Sequence, residues 1–460
     1  MGLGPHAKRI YYKYIEKEVL AGRLRFHMLV DLASKKADIE EFCENEQIVP
    51  ENIVLSDDPN QISPKKLDIS IKTSLDRAVK AKLIQYAIVS TEPKAHKIYV
   101  EYFLKHKIPV LTDKPLTAPI GLNYDAGSAK QLYDDAKYLY GLSQKYKTYL
   151  YIMAQRREHP AYQFIFEEVR KVVTEYRLPI TFFDIYHSDG TWSMPDEFSS
   201  RENHPYKYGY GKIMHSGYHF IDLVAWIAET NKLIVPNLYI SNDTKLLKPQ
   251  THYRQIHGSG LYKKLFNKET TEPANVKMGE IDSYTTFTFK NGDFPINNEN
   301  MVTYGHLDML QSGFSKRAWH DLPKDTYKGN GRLRHEYINL NVGPLLNVQL
   351  HSYQADEINK GLKCGVGGEE HLDVYVFRNE KLIGGKSVEV IDFGSKMADE
   401  HPSDNLVYLG QNESSRYTIF QRLINNEPSN AVVQNQLLTN KILSYMFRSS
   451  ISKSEKIFKA

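Results

Sequence analysis

The chain has 460 residues, 41% of them hydrophobic and 25% charged, enough apolar material for two domains with substantial cores. Lys plus Arg number 59 against 55 for Asp plus Glu, a net +4, too small and too scattered a surplus to argue for nucleic acid or a membrane surface. No apolar run approaches the roughly 20 residues that cross a bilayer, no signal peptide opens the sequence, and Cys43 and Cys364 form no metal or redox motif, so the chain reads as soluble and cytoplasmic.

The first residues, Gly2-Leu3-Gly4-Pro5-His6-Ala7, have the spacing of a dinucleotide fingerprint with alanine in the third glycine's place. In such a turn the glycines let backbone approach a pyrophosphate, and the helix that follows offers it free N–H groups. Gly2, Gly4, Pro5, His6 and Ala7 are therefore candidate cofactor-binding residues. Ala7, Ile10, Tyr11, Tyr14, Ile15 and Val19 recur at helical spacing and predict that helix, with Gly22 as its stop. Only Met1 stands where a strand belongs, so the expectation is a natural start further upstream.

The run LRFHMLVDL reads as a buried strand ending in Asp31. A carboxylate there accepts hydrogen bonds from adenosine ribose hydroxyls and favours NAD, while Lys35 and Lys36 leave room for the 2′-phosphate of NADP. ADIEEFCEN is expected as a helix, LDISIKT as a strand region and LIQYAIVST as a third strand. Ser90 and Thr91 end that strand and His96 lies on the helix after it, all three placed to meet a cofactor; taken by itself, Thr91 reads as a helix cap. A helix PKAHKIYVEYFLKHK, a strand IPVLTDKPL ending in a turn, and a long amphipathic helix from Asp125 to Lys147 complete the region. The alternation predicts a parallel sheet with helices on both faces over residues 1–150.

From residue 151 to 460 the pattern changes. TYLYIMAQRR, LPITFFDIYHS, SYTTFTFKNG, LLNVQLHSY and HLDVYVFRNEKLIGG are strand-like and lack crossover helices, which predicts a mostly antiparallel sheet with helices on one face. Asn291-Gly292 marks a turn and RNEK a hairpin connection. Arg254 to Gly279 reads as a long polar insertion or lid, and Ser415 to about Lys456 as closing helices that pack back on the first domain.

Two further stretches carry a resemblance: Thr112-Asp113-Lys114-Pro115-Leu116, and YGYGKIMHSGYHFIDLVAWI from Tyr208 to Ile227. With the opening fingerprint they resemble the glucose–fructose oxidoreductase / inositol dehydrogenase / MocA-like (Gfo/Idh/MocA) family, in which an acidic-Lys-Pro turn closes the nucleotide domain and a D-x-G-x-H-x-x-D helix opens the second. The resemblance implies a Rossmann domain without its first strand and an open-sheet second domain. It also implies NAD(P)-dependent hydride transfer to or from a hydroxyl or keto group of a sugar, sugar nucleotide or polyol. Lys114 would hydrogen-bond the reacting oxygen and help hold the nicotinamide, and His219 would be the general base. Imidazole suits that role because its pKa of about 6.5 lies near working pH.

His215 stands where the family carries an acid, and Asp222 shares a helix face with His219; both are candidate substrate contacts. Arg156, in a stretch similar to the family's substrate-side arginine region, would bind a carboxylate or phosphate, or else a salt-bridge partner. Trp192 would stack on a sugar ring or fill a core. The resemblance further implies a carbohydrate-like small-molecule substrate and a homo-oligomer through the second-domain sheet. No metal is expected. Two other functions stay open: a non-catalytic nucleotide-binding sensor, hinted at by His215, and a metal-dependent lyase or hydrolase using His215, His219 and Asp222.

Overall fold

The computed structural model describes residues 1–57, 66–201, 204–315, 333–355, 371–394 and 412–460. Cys364 lies outside them, and Cys43 is half-buried. The chain divides into two compact units, one of residues 1–120, 131–158 and 412–437, the other of 121–130, 159–411 and 438–460. Among the described residues no helix is long and apolar enough to cross a membrane.

In the first unit the order is α1 (Pro5–Arg9), α2 (Tyr11–Leu20), β1 (Met28–Leu32), α3 (Lys36–Asn45), β2 (Asn52–Ser56), α4 (Ile69–Lys80), β3 (Ala87–Val89), α5 (Pro93–Lys105) and β4 (Val110–Thr112). α6 (Ala126–Tyr146) leads into β5 (Leu150–Ile152). β1 pairs with β2, and β3, β4 and β5 form a second sheet, every pairing parallel. Leu29, Val30, Val89, Val110, Leu111 and Leu150 are all buried, as a parallel sheet covered by helices requires. Met1 and Gly2 bridge the facing edges of β1 and β3. Met1 N donates to Ile88 O and Ser90 N to Met1 O, while Gly2 N donates to Val30 O, each at 2.9 Å. Beside this bridge lies a cavity of about 490 Å³, walled by Ile15, Leu24, Leu75, Phe103 and Leu423 among others.

Three expectations change here. LDISIKT is not a strand but the start of α4, where the Asp68 side chain accepts from Ser70 N and Ile71 N and so caps the helix. The strand at Asn52–Ser56 had no counterpart among the expected elements. The strand of TYLYIMAQRR does not open the antiparallel sheet; β5 pairs in parallel with β4, Leu111 opposite Tyr151. The helix Glu413–Asn425 is part of this unit as well, with Tyr14 OH on Glu413 O, and Tyr417 and Gln421 on the buried Glu18 carboxylate.

The second unit begins with α7 (Pro160–Tyr176), β6 (Phe182–Ser188) and the short α8 (Glu197–Ser200). A π-helical turn (Ile213–Gly217) then runs into α9 (Tyr218–Lys232). There follow β7 (Leu238–Leu247), α10 (Pro249–Gln255), α11 (Gly258–Phe266), β8 (Asp282–Asn291), β9 (Met301–Leu310), β10 (Leu333–Val342), β11 (Leu346–Ala355), β12 (His371–Arg378), β13 (Val388–Asp392) and β14 (Lys456–Lys459). These strands form one nine-stranded sheet in the order β13-β12-β11-β10-β6-β9-β8-β7-β14, antiparallel except for the β6–β9 pair. Phe183 and Ile185 on β6 and Ile338 and Leu340 on β10 are buried. Phe166 of α7 stacks on Trp226 of α9 at 3.9 Å. The opposite sheet face keeps Tyr186, Tyr337, His351 and Tyr375 half-exposed. The insertion expected from Arg254 to Gly279 is partly helical, α11 lying wholly within it, and the RNEK connection contains a helical turn at Glu380–Ile383.

Candidate active site

In the first unit the fingerprint is a turn between the Met1–Gly2 bridge and α1. Gly2 has φ +82°, and a Cβ on it would stand 2.6 Å from Ser90 O; only glycine fits both the dihedral and the approach. Gly4 is different. It is the N-cap of α1 at φ −69°, and a Cβ there would meet nothing within 4 Å, so the protein itself places no demand for glycine and the space above the turn is open. Asp31 organises the cradle: its Oδ2 accepts from Leu3 N at 2.7 Å and its Oδ1 from Leu32 N at 2.8 Å. Pro5 and Gly4 are exposed, His6 is half-exposed and Ala7 is buried.

Asp113 ties the next turn to the fingerprint helix. Its carboxylate accepts from Tyr11 OH at 2.9 Å and from Ser90 Oγ at 2.9 Å, with His6 Nε2 at 3.4 Å. Burial works against ionisation, yet the His6 and His96 imidazoles and the Tyr11 hydroxyl hold this carboxyl well below the usual carboxylate range. Lys114 follows, half-buried, on a cis bond to Pro115. Thr91 does not cap α5, whose N-cap is Glu92. His96 is fully buried with its ring nitrogens on Pro115 O and Thr91 O at 3.0 and 2.9 Å. It braces two turns from below rather than lining the cradle, and burial lowers its pKa. Arg156, only 3% exposed, lies in a 3₁₀ turn after β5.

In the second unit His215 sits in the π-helical turn and His219 and Asp222 in α9. A π turn widens a helix locally and is frequent at functional sites. Gly217 permits it: a Cβ there would stand 2.8 Å from Met309 Sδ and 2.9 Å from Lys212 O. The His215 ring lies beside Tyr206 and His204, at 5.4 and 4.9 Å between centroids. His219 is 6% exposed. Asp222, 1% exposed, accepts from Thr439 Oγ1 at 2.7 Å, so its carboxylate anchors α9 to the helix Leu437–Ser452 rather than reaching a solvent-facing ligand. Trp192 is held as well, its Nε1 donating to Tyr262 OH at 3.0 Å within an aromatic cluster that includes Phe266. Among the described residues no three His, Cys, Asp or Glu side chains are grouped to hold a metal ion.

The sequence reading missed a buried charge network one turn before His215. Lys212, 1% exposed, donates from Nζ to Asp189 Oδ2 at 2.6 Å and to His187 Nδ1 at 2.7 Å. Ser216 Oγ donates to the same Asp189 oxygen at 2.6 Å. With Nδ1 accepting, a neutral His187 carries its proton on Nε2, which faces Glu336 at 4.0 Å. Glu336 in turn accepts from Tyr162 OH at 2.8 Å. The one available signal was a lysine inside an otherwise apolar and glycine-rich run; its partners lie on another element.

Residues 33–138 match an oxidoreductase family with an NAD-binding Rossmann fold, Gfo/Idh/MocA. No curated protein matches the chain by sequence. Solved structures match its fold. The WlbA dehydrogenase from Bordetella pertussis, in complex with NADH and UDP-GlcNAcA, is similar at 10% identity and TM-score 0.55, over 99% of this chain and 95% of that one. KijD10, a 3-ketoreductase from Actinomadura kijaniata, in complex with TDP-benzene and NADP, is similar at 11% identity and TM-score 0.53, over 97% and 95%. Aldose-aldose oxidoreductase from Caulobacter crescentus, complexed with glycerol, is similar at 11% and TM-score 0.51, over 94% and 91%. The expected fold, a Rossmann unit followed by a mostly antiparallel sheet, is borne out.

Proposed function

We propose NAD-dependent hydride transfer, with a sugar, sugar nucleotide or polyol as the substrate, for this chain, whose residues 33–138 match the Gfo/Idh/MocA oxidoreductase family. The observation that carries the reading is Gly4, a glycine in a fingerprint turn with open space where a Cβ would stand. The cradle fits the cofactor: the Gly2–Pro5 backbone would take the pyrophosphate, and Ser90 and Thr91 end the neighbouring strand. Asp31 keeps lone pairs for ribose hydroxyls, and its charge opposes a 2′-phosphate, which favours NAD over NADP. When bound, the nicotinamide supplies the hydride acceptor or donor.

The remaining chemistry belongs to side chains. Lys114 donates a hydrogen bond to the reacting oxygen and stabilises its developing charge. His219 takes the hydroxyl proton on an imidazole nitrogen as the carbon loses hydride, and returns it in the reverse reduction. The half-exposed face of the nine-stranded sheet is where a second copy would pair, as the family resemblance implies.

The test is a titration of the purified protein with NADH and NADPH followed by fluorescence, then a panel of sugars, sugar nucleotides and polyols followed at the nicotinamide absorbance. Lys114→Ala and His219→Ala are expected to bind NADH and to lose about 10²–10⁴ in kcat. Two observations favour a second reading: the carboxylate of Asp222 is engaged by Thr439, and an imidazole occupies position 215. Tight nucleotide binding with no hydride transfer across the panel would favour that reading, a nucleotide-binding sensor.

A further inference from the structure

Glu280, on the chain just before β8, is fully buried. Its Oε1 accepts from Ile213 N at 2.8 Å and its carbonyl from Lys212 N at 2.9 Å, so it caps the helix that carries His215, His219 and Asp222. The two backbones cross closely: a Cβ on Gly211 would stand 1.9 Å from Glu280 O, and one on Gly279 2.0 Å from Tyr210 O. The carboxyl group is thus confined at the crossing. Its second oxygen, Oε2, has no hydrogen-bond partner, and neither has Oδ1 of Asn123, whose side chain borders the same carboxyl. The Asn123 amide is oriented by Met278 O, which accepts from Nδ2 at 3.2 Å. Two buried acceptors side by side are costly, and a single proton turns one into a donor and satisfies both.

We propose that Glu280 is a positioning residue carried as the neutral acid, its Oε2–H donating to Asn123 Oδ1 while Oε1 holds the helix start through Ile213 N. Burial pushes its pKa up to about 7. Hydrogen bonds from backbone N–H groups at Glu280, Ile213 and Gly211 and from the Asn123 side chain favour the ionised form, and burial outweighs them. Tyr206, nearby, feels the negative potential of Asp189, Glu280 and Asp282. The Lys212 ammonium is engaged by Asp189, and the His215 ring packs edge-on against Tyr206 at 5.4 Å. The folded state therefore keeps a proton that the unfolded chain, with a carboxyl near 4.5, has lost. Stability from this group falls as pH rises from about 4.5 to 7 and is level above that.

Glu280→Gln replaces the acid O–H with an amide N–H and keeps an oxygen for Ile213 N. Thermal unfolding of both proteins from pH 5 to 8.5 is the test. The wild type should lose ground to the variant by up to about tenfold in the unfolding constant per pH unit across the window, ending less stable than the variant at pH 8. Parallel curves, or a variant weaker at every pH, would overturn the proposal. If the variant does not fold, the infrared carbonyl band of a protonated carboxylic acid decides: it should titrate away near pH 7 in the wild type and shift in Asn123→Ala, and its absence at pH 6 overturns the assignment. Neither readout uses nucleotide or substrate, so both stand apart from the oxidoreductase reading. Where that reading holds, kcat of the wild type should fall above pH 7 while that of Glu280→Gln stays level.

Discussion

The fingerprint turn of the first unit and the helix start of the second are both tightly built, by opposite means. The turn is made of backbone: Gly2 and Leu3 are fixed by Val30 O and Asp31, and a glycine is required at position 2 by its dihedral and its neighbour. The helix start is made of buried side-chain charge, with Lys212 hydrogen-bonded to Asp189 and His187, and Glu336 4.0 Å from His187, in a space nearly free of solvent. A backbone cradle depends on dihedrals and not on side-chain chemistry, so it tolerates change in the surrounding side chains. A network of buried charges is sensitive to each of its members, since removing one leaves the others uncompensated.

That contrast can be broken by substitution. Lys212→Met should be the most damaging change, costing about 3–5 kcal/mol because Asp189 is left buried and charged; Lys212→Met with Asp189→Leu should recover much of it, as denaturant unfolding would show. A double-variant loss equal to the sum of the Lys212→Met and Asp189→Leu losses would mean that the charges do not couple. Gly2→Ala comes next, at about 1–3 kcal/mol from the positive φ and the Ser90 O contact, together with loss of NADH binding. Gly4→Ala is the finest probe. Its effect on stability should stay within about 0.5 kcal/mol, while NADH affinity drops at least about tenfold through contact with the ligand. An unchanged affinity would show that the open space over Gly4 is not where nucleotide sits.

The order of elements was legible in the sequence where local pattern and tertiary role agree, as in the β1, α5 and β12 stretches. LDISIKT misled because Leu67, Ile69 and Ile71 alternate like a strand, whereas the residues α4 buries are Ile71, Leu75 and Ala78, a helical spacing that extends beyond the motif. β5 was visible as a strand but not as a partner of β4, since the long crossover helix between them decides the pairing. The candidate site divides along the same line. Gly2 and Asp31 announce themselves through spacing, and Lys114 through the family resemblance of its Asp113-Lys114-Pro115 turn. Lys212 and Glu280 do not, because their partners Asp189 and Ile213 lie elsewhere in the chain, and no periodicity encodes a long-range hydrogen bond.

The nine-stranded sheet has a consequence for how the protein comes into being. β6 is the first of its strands to be made, yet it ends at the middle of the sheet, between β9 and β10. Ribosomes add about 5–20 residues per second, so Phe183 and Ile185 wait several seconds with both edges of their strand open before Leu307 and Ile338 exist to flank them. The strand that becomes the most enclosed is the one longest exposed to aggregation during synthesis, and slower growth at low temperature with abundant chaperone is the condition under which this fold should be recovered in best yield.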